Sequence, residues 1–281
     1  LLCLAALLGI LLATAGADAQ TGGPVGPVVT EQQLLQELQT VQGRISIPDQ
    51  RAATLIQPAG RDWQAFHTEA LPWIGGIAIL GMAAVLVLFF LVKGRIRIVA
   101  GHSDRTVIRF SGFERFVHWM TAGSFIVLGL TGLNISFGRI VLLPLIGPEA
   151  FTAVAQWGKY AHNFVAVAFA AGVVLMILVW LKDNFPDRTD ARWLAEGGGL
   201  LGSGHPPARR FNPGQKLIFW SVILSGVGLT VTGVILLFPF RWTDMAGMQL
   251  ATLVHAVLGI VMVAVILAHI YIGSIGMEGA F

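Results

Sequence analysis

Cysteine is nearly absent from this 281-residue chain. With Cys3 as the single thiol, an internal disulfide, a Cys-rich zinc site and the thiolate set of an iron–sulfur cluster are all excluded. There is no C-x-x-C-H either, which rules out covalent, c-type haem attachment. Charge is scarce too: 12% of residues are Asp, Glu, Lys or Arg, against 55% hydrophobic, and the mean hydropathy is +0.75. That balance is too apolar for a soluble globular domain and points to a membrane. The pI near 9.4 rests on an excess of three positive charges, too little to argue for nucleic-acid binding.

What is present is a succession of apolar runs. Leu1 to Leu12 followed by Ala17-Asp18-Ala19 reads as a secretory signal peptide over residues 1–19. Residues 20–70 are polar, with an amphipathic helix expected from Glu31 to Val41 and Pro-punctuated loops after it, and form an N-terminal periplasmic segment. Five stretches of spanning length follow: Pro72 to Val92, Phe116 to Phe137, His162 to Leu181, Leu217 to Phe238 and Leu250 to Ile272. Each meets the requirement of about 20 apolar residues. The organisation is therefore a first transmembrane helix at 71–93, a cytoplasmic loop at 94–115 and a four-helix domain at 116–281. The short apolar piece Ile140 to Ile146, broken by Pro144, reads as an interfacial segment. No internal repeat is evident.

Orientation follows from two independent signs. A cleaved signal peptide leaves the mature N-terminus outside, so odd-numbered helices run inward. The two loops this places inside carry twelve basic residues: Lys93, Arg95, Arg97, Arg105, Arg109 and Arg115, then Lys182, Arg188, Arg192, Arg209, Arg210 and Lys216. The outer loops carry three, Arg139, Lys159 and Arg241, which agrees with the positive-inside rule and puts the C-terminus in the cytoplasm.

Seven histidines divide into two groups. His67, His102 and His205 lie in polar segments and read as solvated loop residues. His118, His162, His255 and His269 lie at or within spanning helices, where an ionisable group is costly and marks a functional interior. His255 and His269 are 14 residues apart. That spacing returns to within about 40° of the same helix face and covers about 21 Å of rise. His162 then falls at the depth of His255, near the outer face, and His118 at the depth of His269, near the inner face. Each pair can clamp one haem iron, and two axial imidazoles leave no open position for oxygen or substrate, which suits electron transfer. Gly129, Gly132, Gly172, Gly226, Gly228, Gly233 and Gly259 offer room for a flat macrocycle, although small residues also serve ordinary helix contacts. An interhelical hydrogen bond or a proton relay is the competing reading for any one such histidine; four at two matched depths favour two haems.

The motifs Phe116-Val117-His118-Trp119, Lys159-Tyr160-Ala161-His162, Asn212-Pro213-Gly214-Gln215-Lys216, Val254-His255-Ala256 and Ala268-His269-Ile270-Tyr271 resemble the cytochrome b (gamma) subunit of membrane-bound respiratory formate dehydrogenase. The likeness runs from about Phe110 to the C-terminus. It implies an all-α integral membrane protein, a dihaem cytochrome b bundle, with His162 and His255 as ligands of the outer haem b and His118 and His269 of the inner one. It implies partners as well: a catalytic molybdenum or tungsten subunit oxidising formate in the periplasm, and an iron–sulfur subunit feeding the outer haem. The acceptor it implies is membrane quinone near the cytoplasmic face of the bacterial inner membrane, with Asn212, Gly214 and Gln215 at the quinone site. An amide and a glycine-exposed backbone can hydrogen-bond quinone oxygens, while Asn-Pro-Gly by itself also reads as a turn before a helix. The signal peptide, the periplasmic segment and the first spanning helix depart from the smaller four-helix members, whereas longer relatives carry a stretch like Gly60-Arg61-Asp62-Trp63.

The chain itself is expected to perform no formate chemistry, having neither a cysteine placed for the metal nor a domain large enough for a pterin cofactor. Two alternatives stand beside this reading. One is the cytochrome b subunit of another quinone-linked complex, a hydrogenase or thiosulfate reductase. The other, of a different class, is a transporter using the histidines for protons or a metal ion.

Overall fold

The computed structural model describes residues 42–44, 54–56, 59–98, 108–199 and 208–279. The expected signal peptide, the helix at Glu31 to Val41, and His102 and His205 lie outside the described residues. A two-stranded antiparallel hairpin, β1 (Gln42–Arg44) and β2 (Thr54–Ile56), stands where loops were expected, with Gly43 opposite Leu55. α1 (Ala59–Ala65) continues through a π-turn, Phe66–Ala70, into α2 (Leu71–Lys93). Within that turn His67 stacks on Trp63 with ring centroids 5.0 Å apart, so it is not a free loop residue.

Among the described residues five helices are long and apolar enough to cross a membrane, as the apolar runs led us to expect. They are α2, α3 (Gly112–Val141), α4 (Leu143–Trp180), α6 (Pro213–Leu237) and α7 (Met245–Tyr271). The short α5 (Arg188–Ala195) lies in the connection between α4 and α6. The chain is a multi-pass membrane protein.

Polar residues just outside the apolar runs start the helices. Ser111 and Glu114 form a capping box on α3, Asp187 and Asp190 on α5, and Asn212 and Gln215 on α6, while Asp244 accepts from Gly247 N–H on α7. Each satisfies backbone donors that have no partner in the first turn.

The interfacial segment takes a different form from the one expected. Leu142 alone separates α3 from α4, and α4 breaks at Gly147, whose φ of 78° belongs to the left-handed region, before Pro148 restarts it. Pro at the first turn costs no hydrogen bond, so Pro148 opens the longer part of the helix, and Pro144, read as breaking the apolar piece, sits in the first turn of α4. α4 therefore begins well before His162, which lies in mid-helix.

α3 packs along α4, α6 along α7 and α4 against α6, with α2 laid on the outside of α7. Val117, Phe125, Phe169, Val173, Met176, Phe219, Ile223 and Met262 form the buried core of the four-helix bundle. α2 meets α7 through Gly75, where an added Cβ would lie 2.8 Å from Ile260 and 2.9 Å from Phe137 of α3. Its other face is bare: Trp73 and Leu80 are 75% and 71% exposed, as lipid contact requires. Beyond α2, Ile96 pairs with Met277 in a parallel bridge that ties the chain after the first spanning helix to the segment after the last.

Candidate haem-binding site

The four histidines meet in the two pairs that spacing suggested. His162 of α4 faces His255 of α7 with ring centroids 6.2 Å apart, and His118 of α3 faces His269 of α7, also at 6.2 Å. Two metal–imidazole bonds of about 2 Å, with about 1.2 Å from each donor nitrogen to its ring centre, put trans axial imidazoles about 6 Å apart. The spacing within each pair would suit one iron between its two rings. Among the described residues no group of three or more His, Cys, Asp or Glu side chains could hold a metal ion alone. A macrocycle that brings its own four nitrogens would need two further donors, which either pair could supply.

The protonation of the first pair follows from its neighbours. Thr131 Oγ1 lies 2.8 Å from His162 Nδ1, and Thr232 Oγ1 lies 2.9 Å from His255 Nδ1. Each hydroxyl already donates its one proton to its own helix, Thr131 to Val127 O at 2.7 Å and Thr232 to Gly228 O at 2.7 Å. Each can then only accept, so Nδ1–H of the imidazole donates and the Nε2 lone pair is left for iron.

Glycines 132 and 233, next to these threonines, let the rings approach. An added Cβ would lie 3.6 Å from His162 Cε1 at the first and 3.4 Å from His255 Cε1 at the second. Gly259, between His255 and His269 on α7, has nothing within 4 Å of an added Cβ. Gly172, Gly226 and Gly228 instead receive Thr121, Val173 and Leu258 from neighbouring helices and serve helix packing, and Gly129 meets only Val263 and Phe125 at van der Waals distance.

The threonines were not among the residues the sequence singled out. A signal existed: both belong to a Thr-Gly pair, 20 residues after the N-cap of their helix, Ser111 to Thr131 and Asn212 to Thr232. The two hairpins α3–α4 and α6–α7 thus use one device twice, a capped helix whose Thr-Gly seats a histidine of the next helix. That repeat escaped the sequence because the residues between Thr and His differ in number, 30 in one hairpin and 22 in the other.

Asn212, Gly214 and Gln215 lie together at the start of α6, at the end of the bundle where α3 also begins. Asn212 Oδ1 accepts from Gln215 N–H at 2.9 Å, and Gln215 Oε1 accepts from Asn212 N–H at 3.0 Å and from Arg109 Nη2 at 3.2 Å. Both amide oxygens are therefore committed to the cap, which leaves the amide nitrogens as the available donors. Beside them Lys216 is buried, bonded to Asp187 Oδ2 at 3.0 Å, Asp190 Oδ2 at 2.8 Å and the Phe185 carbonyl at 3.0 Å. Arg210 pairs with Asp183 at 2.7 Å and with Glu114, which also accepts from Trp180 Nε1 at 2.9 Å. Burial works against the Arg210 charge, but its carboxylate partners Asp183 and Glu114 hold its pKa above the ordinary value.

A family profile described as prokaryotic cytochrome b561 matches residues 109–279, which is more than half of the chain. The chain belongs to that family. Haem b is accordingly its cofactor. The curated relatives it resembles include the nitrate-inducible formate dehydrogenase cytochrome b556(Fdn) subunit of Escherichia coli K12, 29% identical over 173 residues, covering 60% of this chain and 77% of the relative. The formate dehydrogenase cytochrome b556(fdo) subunit of the same organism is 28% identical over 170 residues, covering 59% and 78%. The formate dehydrogenase cytochrome b556 subunit of Haemophilus influenzae is 28% identical over 175 residues, covering 60% and 71%. The expected likeness to formate dehydrogenase cytochrome b subunits is borne out, and the family profile covers α3 to α7 of this cytochrome.

Proposed function

We propose that this cytochrome is the dihaem membrane-anchor subunit of a formate dehydrogenase, passing electrons from a periplasmic iron–sulfur subunit, by way of two b haems, to quinone near the cytoplasmic face of the inner membrane. The observation that carries it is the presence of two histidine pairs, each with ring centroids 6.2 Å apart. The two levels are separated along the helix axes. His118 and Thr131 are 13 residues apart on α3, and His255 and His269 are 14 apart on α7, so each helix gives a separation of about 20 Å. The formate dehydrogenase assignment rests on the named relatives. The direction rests on the basic loops, whose charge supports an inner position for the His118 and His269 level.

Bound haem b supplies a one-electron centre at each level. The protein's part is to hold both imidazoles of each pair in coordinating orientation and to keep the interior apolar. At the cytoplasmic end, the Asn212 and Gln215 amide nitrogens and the Gly214 backbone are donors for a quinone oxygen, and the Arg109 contact fixes Gln215.

The test is a redox-titrated spectrum of the purified complex with a haem count. Two b-type haems per chain are expected, with His255→Ala removing the outer and His269→Ala the inner. Unchanged haem content in both variants would end this reading. Co-purification of a formate-oxidising subunit and an iron–sulfur subunit checks the partners; capture of a hydrogenase instead would redirect the assignment.

A further inference from the structure

We propose that Thr131 and Thr232 hold the reduction potential of the outer haem below that of the inner one, and so set the direction of electron flow through the bundle. This rests on the two-haem reading above. The two histidine pairs have the same ring separation but different surroundings. Both outer ligands donate Nδ1–H to a threonine hydroxyl, at 2.8 and 2.9 Å. Neither His118 nor His269 has a hydrogen-bond partner among the described residues; the rings beside His118 are the edge of Trp119 and the His269 imidazole.

An acceptor on the far nitrogen of a ligating imidazole raises its basicity, and a more basic ligand favours ferric over ferrous iron. The outer iron, with two such ligands, is therefore the harder one to reduce. Each transfer moves one electron, the donor iron going from ferrous to ferric as the acceptor goes from ferric to ferrous, and no imidazole proton is displaced. An electron entering at the outer level then steps to a higher potential at the inner one. That difference offsets the work of moving negative charge inward against the membrane potential.

The geometry is built rather than incidental. The same Thr-Gly pair recurs on α3 and α6, and in both cases the hydroxyl is oriented by donating to the carbonyl four residues earlier, Val127 or Gly228. The threonines act through the histidines, as positioning residues.

The experiment is a spectroscopic redox titration of the purified complex carrying Thr131→Val, Thr232→Val or both, with Thr→Ser at each site. The wild type should titrate in two waves, the lower of which His255→Ala removes. Each valine variant should move the lower wave upward, the double variant by the sum of the two shifts, while the upper wave stays and serine restores the wild-type value. A lower wave unmoved in the double variant, or an upper wave that moves equally, would overturn the proposal. So would loss of the outer haem from both valine variants but not from the serine variants, which would make the hydroxyl a holder of the ligand only. One wave with one haem in the wild type would instead overturn the two-haem reading, and this inference with it.

Discussion

At Gly233 an added Cβ would lie 3.4 Å from the His255 ring, so any longer side chain must push the imidazole aside. Gly233→Leu should therefore deplete the outer haem and spare the inner one, read as a halved haem count with a single remaining redox wave. At this scale the four histidines were legible because depth and face follow from counting residues along a helix. Thr131 and Thr232 were not, because which hydroxyl meets which imidazole depends on the register between neighbouring helices, and no single helix carries that information. Asn212 and Gln215 show the converse: motif likeness marked them as quinone residues, and the structure shows that their first occupation is capping α6.

Among the elements, α2 is set apart by what it touches. It lies on α7 through Gly75 and Phe89, the latter edge-on to Tyr271 at 6.4 Å, while Trp63 Nε1 reaches the Gln249 carbonyl at 3.3 Å. Gly75→Leu would place side-chain atoms inside Ile260 and Phe137, so thermal stability in detergent should fall by several degrees with haem content unchanged. A loss of either haem would mean that α2 shapes the haem pockets through α7. Helix existence was readable from apolar runs, but the start of α4 was not. Residues 149–161 mix Glu149, Gln156 and Lys159 with apolar neighbours, which breaks a hydropathy window without breaking a helix.

For the molecule as a whole, the charged cluster at the end of the bundle where α3 and α6 begin ties the connection between α4 and α6 to the bundle. The Asp187 carboxyl is held well below the usual carboxylate range, first by the Thr189 hydroxyl and then by Lys216. A depressed folded value contributes stability that is fully present above the ordinary 3.8 and is lost as pH falls below it toward the folded value. The thermal midpoint should thus drop on acidification from pH 5 to pH 3, and Asp187→Asn should flatten that part of the profile. An identical profile in the variant would assign the acid sensitivity to other carboxylates. Membrane class and the five spanning helices were readable at this scale from composition and the apolar runs. The partners of the buried Lys216 were not, since Asp187 and Asp190 precede it by 29 and 26 residues and only the folded connection brings them to it.

The Thr-Gly seat occurs twice, yet its two histidines make one pair, because they face each other across the junction of the two hairpins. The other level could in principle exist in duplicate. Counting from the N-caps, Phe219 occupies in α6 the place that His118 has in α3, and Met176 lies 14 residues beyond His162 as His269 lies 14 beyond His255. Both Phe219 and Met176 are buried in the apolar core. On the proposed two-haem reading, a scaffold of two like halves is thus wired down one side only: a single entry point leads to a single exit, and the other side is packed solid, where an electron has nowhere to stop.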